Sequence, residues 1–522
     1  MASIRDFWRV CAGVNPVLPP PTLAATPGDY HTIILQDLAR MQGTATDKDL
    51  LARRLAALAA RPEVMGKIVD ISVDGRVIQA RSQSDNNPGC PYAKNLLASA
   101  VKDVIDRYRA LNPLEYIVLV GNDDVIPFFR YPDPAQVGFE SDYIPPVLDS
   151  SASGASLRLN YVWGQDAYGA TTQISLQGSV LPIPDLAVGR LVETAGEAVT
   201  VLDAYLSDAD GIVQPASAFI SSYGFLEDGA RAVQRELEAG LNSSASVSTL
   251  IDPADRSPSD PRSWTADNLR AGLLTSRRDL VYLAGHFSAA GALAADYTTH
   301  MDASEVALSP LDLRNIVVYS AGCHTGYNIV NAHGVPGLTP EPDWAQAFAR
   351  KGAALIAGTG YQYGDADLTE YAERLYLGFT QQLRRGGPIA IGKALVGAKQ
   401  DYLADTGVEV DGVFEKTILQ PVLFGLPMLR VQLPGQPGVS VTLPPVVTAT
   451  NPVIAGPGAT YGLRTADVSL SPQLTPASKT LTDVATNSSV VATYLIGPQG
   501  AVARDVGRDR VRRGRGRRAH DG

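Results

Sequence analysis

Two residues able to do covalent chemistry each close an apolar run. Leu280-Val-Tyr-Leu-Ala-Gly leads to His286, and Ile316-Val-Val-Tyr-Ser-Ala-Gly leads to Cys323. Each run is long enough for one buried strand, is rich in β-branched and aromatic residues, and stops at glycine. If the two strands lie parallel in one sheet, imidazole and thiol emerge together at its carboxyl edge, where open α/β sheets build their sites. An imidazole beside a thiol lowers the thiol pKa and yields a thiolate with its acid/base partner. That pairing is a cysteine peptidase layout.

Rival chemistries leave little trace. The chain has no Gly-x-Ser-x-Gly elbow, no Gly-x-x-x-x-Gly-Lys-Ser/Thr phosphate loop, and no His-Glu-x-x-His or paired Cys-x-x-Cys for zinc. Of the six histidines, His31, His286, His300, His324, His333 and His520, only His286 ends a strongly patterned strand. His300 and His333 read as loop residues. His324 points away from Cys323 if the backbone stays extended, so packing or hydrogen bonding is its reading, with a second base as the alternative. Asn122, Asp123 and Asp124 follow the strand Tyr116-Ile-Val-Leu-Val and read as an Asx turn, a cation site being the alternative.

The elements that must position the pair belong to a chain of 522 residues, enough for two to four domains. Hydrophobic residues make up 45% and charged residues 19%, which suits a globular enzyme with ample core. A net charge of -10 argues against nucleic acid or an anionic membrane as the main partner. No stretch approaches the ~20 apolar residues of a spanning helix. The first residues lack a continuous apolar core, so no secretory signal is visible. Three cysteines, Cys11, Cys90 and Cys323, cannot build a disulfide framework, and Cys11 and Cys90 read as buried or incidental thiols, although they could pair.

Residues 1–27 read as an irregular, proline-rich leader. From residue 28 to 210, strand and helix alternate, which implies a parallel sheet flanked by helices. Strands are expected at His31-Thr-Ile-Ile-Leu, Val69-Asp-Ile-Ser-Val, Tyr116–Gly121 and Asp185–Arg190. Leu51, Leu55 and Leu58 have helical spacing, an amphipathic helix covers Ala93–Leu111, and Thr194-Ala-Gly-Glu197 forms a capping box. The pattern restarts over 211–432 with the strand Ala218–Ser222 and the two reactive strands. Helices follow at 343–350, 370–383 and 389–402. The reading is two consecutive α/β subdomains forming one catalytic region. Residues 433–500 turn to Pro, Thr, Val and Ser, with Val439–Leu443 and Ser489–Leu495 as short strands of a small β-sandwich. Residues 501–522 are expected to be disordered, with eight arginines between Arg504 and Arg518.

Several blocks resemble the gingipain-like cysteine peptidases, family C25, in the clan of caspases, legumain and separase. They are Tyr116-Ile-Val-Leu-Val-Gly-Asn-Asp-Asp-Val-Ile-Pro127, Ser141-Asp-Tyr143, Pro184–Arg190, Lys351–Ala357 and Leu423-Phe-Gly-Leu-Pro-Met-Leu-Arg430. Together with the two reactive strands they span roughly residues 28–432. The resemblance implies two α/β subdomains followed by an immunoglobulin-like domain, and a cysteine endopeptidase acting on protein or peptide. It makes Cys323 the nucleophile and His286 the general base and acid, with the Phe287 and Cys323 backbone N–H groups holding the oxyanion. It also implies export, while the lack of a visible secretory signal leaves a cytoplasmic location as the alternative.

Two departures stand out. The family's His-Gly-Ser is His286-Phe287-Ser288 here, and Leu426 replaces an acid in the closing block. Phe287 either reshapes the cleft or marks a catalytically weak relative that serves as a surface or secretion-linked binding module. By resemblance to Arg-selective members, Asp228 is a candidate partner for a basic P1 side chain. The alternative is that Glu227 and Asp228 simply favour a helix N-terminus. Tyr361 and Tyr363 are candidate S1 walls. Asp365 and Asp367 are alternative acids or calcium ligands. No cofactor is required on this reading, calcium being at most a structural ion.

Overall fold

The computed structural model describes residues 11–176, 179–254, 260–365, 368–405, 412–435 and 437, together with the strands 475–483 and 488–496. Ten strands form one sheet: β1 (Thr32–Gln36), β2 (Gly66–Asp70), β3 (Tyr116–Val120), β4 (Ala187–Leu191), β5 (Ala218–Ser222), β6 (Val247–Ile251), β7 (Leu280–Leu283), β8 (Val317–Ser320), β9 (Ala354–Gly358) and β10 (Pro421–Phe424). Their order is β6-β5-β7-β8-β9-β10-β4-β3-β1-β2. All neighbours are parallel except β9 and β10. Strand β10 also pairs parallel to β4, at Phe424 and Arg190, so the first half of the chain and the second share one sheet and run in opposite senses.

The reactive strands are apolar throughout because they are covered on both faces, as parallel strands in α/β sheets are. All four residues of β7 and all four of β8 are buried. Their alternation builds two cores. Leu280 and Tyr282, with Val317 and Tyr319, join one cluster. Val281 and Leu283, with Val318, join the other beside Trp264 and Trp344. At about 1.5–3 kcal/mol for each fully buried large side chain, these seven positions fix which face each strand presents.

The helices follow the sequence closely. Helix α1 (Ala45–Ala59) buries Leu51, Leu55 and Leu58. Helix α2 (Gly75–Asn86), too polar to show a clear apolar stripe, had no counterpart in the periodicity. Helix α3 (Pro91–Arg109) starts two residues before the expected Ala93. Helix α4 (Ala195–Leu206) opens with the Thr194–Glu197 capping box. Helices α5 (Glu227–Gly240), α6 (Ala266–Leu274), α7 (Trp344–Arg350) and α8 (Tyr371–Gln382) flank the second half.

Three expectations need correction or restriction. Val69-Asp-Ile-Ser-Val is only partly a strand: β2 ends at Asp70, whose carboxylate accepts the Ser72 N–H (2.9 Å) and starts a short 3₁₀ turn at Ile71–Val73. Cys11 and Cys90 are not free thiols but a disulfide with Cα atoms 6.2 Å apart. It ties the irregular leader to the start of α3, and Gln83 of α2 also donates to the Asn15 carbonyl (2.9 Å). Beyond residue 437, a separate unit contains the antiparallel pair Thr475–Asp483 and Ser488–Ile496. Val439–Leu443 and the arginine-rich tail lie outside the described residues.

Candidate active site

Strands β7 and β8 pair in register, Leu280 with Val317 through Leu283 with Ser320. The Ala321 N–H donates to the Leu283 carbonyl (2.8 Å), which carries the pairing one residue further. His286 and Cys323 each stand three residues past the last paired positions. The strand order runs outward from β5 to β6 on one side and to β7 and β8 on the other. The order in which successive strands are added therefore reverses at β5/β7, the switch point where such sheets open a crevice. The loop after β5 brings Tyr223 and Phe225 to that crevice.

The imidazole of His286 sits among aromatic rings. Tyr223 lies edge-on with centroids 5.0 Å apart, Tyr297 at 5.4 Å and Phe225 at 5.6 Å. Its Nε2 is 3.2 Å from the Tyr297 hydroxyl. One edge of the ring is open to solvent, yet the aromatic walls remove enough water to hold its pKa below the ordinary value.

Cys323 is a half-buried free thiol. The Gln362 N–H donates to its Sγ at 3.4 Å, and the thiol donates to the Gln362 carbonyl at 3.6 Å. The Gln362 side chain is itself fixed, donating to the Ser320 carbonyl and the Tyr376 hydroxyl, each at 3.1 Å. Burial pushes the thiol up, and the Gln362 N–H draws it partly back.

Phe287 does not fill the crevice. Its side chain is buried against Trp344, with centroids 5.8 Å apart. Its φ is not positive, so the backbone here has no need of glycine. Phe287 bridges to Ala292 while its neighbours make the ladder bonds, Ser288 N–H to Gly291 (2.8 Å) and Leu293 N–H to His286 (3.0 Å). Among the described residues, neither the Phe287 N–H nor the Cys323 N–H has a backbone acceptor.

His324 behaves differently from an extended-strand residue. Its φ is +55°, and its ring is buried, stacked on Tyr143 at 3.5 Å between centroids. Its Nε2 meets Glu140 Oε2 at 2.9 Å. Glu140 Oε1 accepts the Tyr361 N–H (2.8 Å) and pairs with Lys416 (2.7 Å), which also pairs with Asp133 (2.6 Å). This buried set links four distant segments behind the thiol. Nothing in the sequence singled out Asp133, Glu140, Gln362 or Lys416, because ion pairs between remote segments leave no periodic signal. The nearest hint was the neighbouring Ser141-Asp-Tyr143 block.

The remaining candidates scatter around this centre. Asp228, in the first turn of α5, accepts the Thr369 hydroxyl (3.0 Å). It also neighbours Glu373, a buried carboxyl pushed up to about 8 chiefly by burial, with Asp228 adding to the effect. The Tyr361 ring meets His324 at 4.5 Å between centroids, and the Tyr363 hydroxyl donates to the Val137 carbonyl (2.7 Å). Asp365 accepts the Leu368 N–H (3.1 Å), and Asp367 lies outside the described residues. His31 pairs with Glu115, and His333 with Asp124. Asn122 forms the Asx turn, accepting the Asp124 N–H (3.0 Å), while the Asp123 carboxylate is held by Arg130. Among the described residues no group of three or more His, Cys, Asp or Glu side chains could hold a metal ion, and no helix is long and apolar enough to cross a membrane.

Comparison with solved structures finds the complex of Porphyromonas gingivalis RgpB pro- and mature domains, at 14% identity and TM-score 0.49, over 90% of this chain and 91% of that one. Two Saccharomyces cerevisiae separase–securin complexes follow at 10% and 12% identity and TM-score 0.32, each over 48% of this chain and 14% of theirs. A search of curated proteins returned no match. The model of peptidase family C25 matches residues 52–432, which takes in both reactive strands and most of the ten-stranded sheet. The chain therefore belongs to peptidase family C25, a family of cysteine peptidases.

Proposed function

We propose that the protein is a cysteine endopeptidase in which Cys323 attacks the scissile carbonyl and His286 moves the protons. The observation that carries this reading is the common level of the two residues past the paired ends of β7 and β8. His286 takes the thiol proton as sulfur bonds to the carbonyl carbon. The resulting oxyanion accepts from the Phe287 and Cys323 N–H groups, neither of which has a backbone acceptor among the described residues. His286 then gives its proton to the leaving amine, and the C–N bond breaks to leave a thioester. Water, losing a proton to His286, hydrolyses that thioester and frees the thiol. No cofactor enters any step, and calcium, if bound, is structural.

Asp228 is proposed to face a basic P1 side chain. Beside it, burial pushes the Glu373 carboxyl up to about 8. Tyr361 and Tyr363 are proposed as further walls of the S1 pocket. The test is cleavage of a P1-diverse fluorogenic peptide library under reducing conditions, with and without calcium. Turnover that disappears in Cys323→Ala and in His286→Ala supports the dyad, and Arg or Lys preference that Asp228→Asn removes supports the pocket. Undiminished turnover in Cys323→Ala overturns the reading.

A further inference from the structure

We infer that Tyr297 is the positioning residue of the catalytic imidazole, a neutral phenol standing where cysteine and serine hydrolases commonly use a charged or amide partner. This rests on the His286–Cys323 reading above.

The backbone at Tyr297 is unusual. It has φ +54°, a left-handed conformation that a bulky side chain rarely adopts. The surrounding turn holds it there. The Tyr297 N–H donates to the Ala294 carbonyl (2.9 Å), and the Ala294 N–H donates to the Thr299 carbonyl (2.8 Å). Asp296 accepts from the N–H groups of Thr298 (3.1 Å) and Thr299 (2.9 Å) and from the Thr299 hydroxyl (2.9 Å). Such over-determined strain concentrates where a side chain must be aimed. Here the phenol is aimed at His286 Nε2, 3.2 Å away.

Among the described residues no other polar side chain competes for that nitrogen. The Tyr223 hydroxyl is occupied, donating to the carbonyls of Leu293 (2.6 Å) and Ala294 (2.9 Å), and Phe225 has none to offer. Among the described residues, the titratable groups facing the imidazole are thus Tyr223 from the loop after β5 and Tyr297 from its own turn, with Cys323 at the end of the neighbouring strand. Among the described residues no carboxylate pairs with it.

The chemistry follows from which nitrogen is held. When the phenol oxygen accepts from Nε2–H, the neutral ring keeps its Nδ1 lone pair free to take the Cys323 proton. After that transfer the Nε2–H bond to the phenol persists, so the ring need not rotate between its base and acid roles. A hydroxyl acceptor stabilises the imidazolium more than the neutral ring, though less than a carboxylate does.

Tyr297→Phe tests this. One lost hydrogen bond of about 1 kcal/mol predicts a fall in kcat of roughly 5–10-fold, KM within about two-fold, and an acid limb of kcat/KM displaced to lower pH. A second readout needs no substrate: ¹⁵N imidazole shifts, measured in a Cys323→Ala background. They report the Nε2–H tautomer with Tyr297 present and a mixture with Phe. An unchanged acid limb and an unchanged tautomer overturn the positioning role. If that happens while Cys323→Ala abolishes turnover, the dyad reading survives on its own. If Cys323→Ala and His286→Ala stay active, the dyad fails instead.

Discussion

Phe287 and Gly322 compete for one volume. A Cβ built on Gly322 would stand 2.8 Å from the Phe287 Cβ and closer still to its ring. The residue after the imidazole is therefore packed directly on the residue before the thiol, coupling the two loops through their side-chain volumes. The family's glycine after the histidine is replaced here, and Gly322 opposite supplies the room. Phe287 thus belongs to the core beneath the crevice, which removes the feature that favoured a non-catalytic binding module.

That relationship predicts a non-additive double-mutant cycle. Phe287→Ala alone should cost about 3–5 kcal/mol as a cavity, and Gly322→Ala about 1–3 kcal/mol as overpacking. Together they should cost less than their sum by at least roughly 1 kcal/mol, because the new methyl group enters space the ring has left. Urea denaturation of the four proteins measures this, and strict additivity would contradict direct packing.

The proposed Cys323–His286 dyad should be neutral at rest. Burial raises the Cys323 thiol and lowers the His286 imidazole, both away from a preformed thiolate–imidazolium pair. Alkylation of Cys323 by iodoacetamide should therefore still be rising with pH above about 8.5, the ordinary thiol pKa. A rate already at plateau by about pH 6–7 would show an ion pair instead.

Glu140 should matter more to stability than its place on a loop suggests. Burial pushes its carboxyl up, but His324 and Lys416 outweigh that and hold it below the ordinary carboxylate value. A depressed carboxyl contributes stability above its unfolded pKa of about 4.3 and loses it as pH falls through the folded value. Glu140→Gln leaves Lys416 with Asp133 as its remaining carboxylate partner and should cost roughly 1.5–3 kcal/mol near pH 7, the worth of a hydrogen bond to a charged group. The gap from wild type should narrow below about pH 4.3. Thermal melts of both proteins across pH 3–8 check both the size and the sign. His324 acts in the same direction: burial holds its pKa below the ordinary value, so its contribution also falls as pH drops below about 6.5.

Much of the fold was legible because periodicity reports burial. The β7 and β8 runs, the leucines of α1 and the Thr194–Glu197 box each carry their instruction within a few residues. Helix α2 did not, since Gly75-Arg-Val-Ile-Gln-Ala-Arg-Ser-Gln-Ser-Asp-Asn is nearly all polar. His324 is packed and hydrogen-bonded, in keeping with its sequence reading, but by a different path. Its side assignment assumed an extended chain, and one left-handed residue turns it toward Glu140, 184 positions away in sequence.

The sequence by itself determined which residues could react, that each would end a buried strand, and which family the blocks resemble. These follow from local pattern, because strand burial and glycine stops are set by neighbours along the chain. The tertiary structure decided the rest: that β10 joins both halves into one sheet, that Cys11 pairs with Cys90, and that Gly322 makes room for Phe287. It also decided that Glu140, Lys416 and Gln362 stand behind the thiol, and that Tyr297 meets His286. Each of these is a contact between distant segments, and its energy depends on packing and desolvation that exist only once the chain has closed around it.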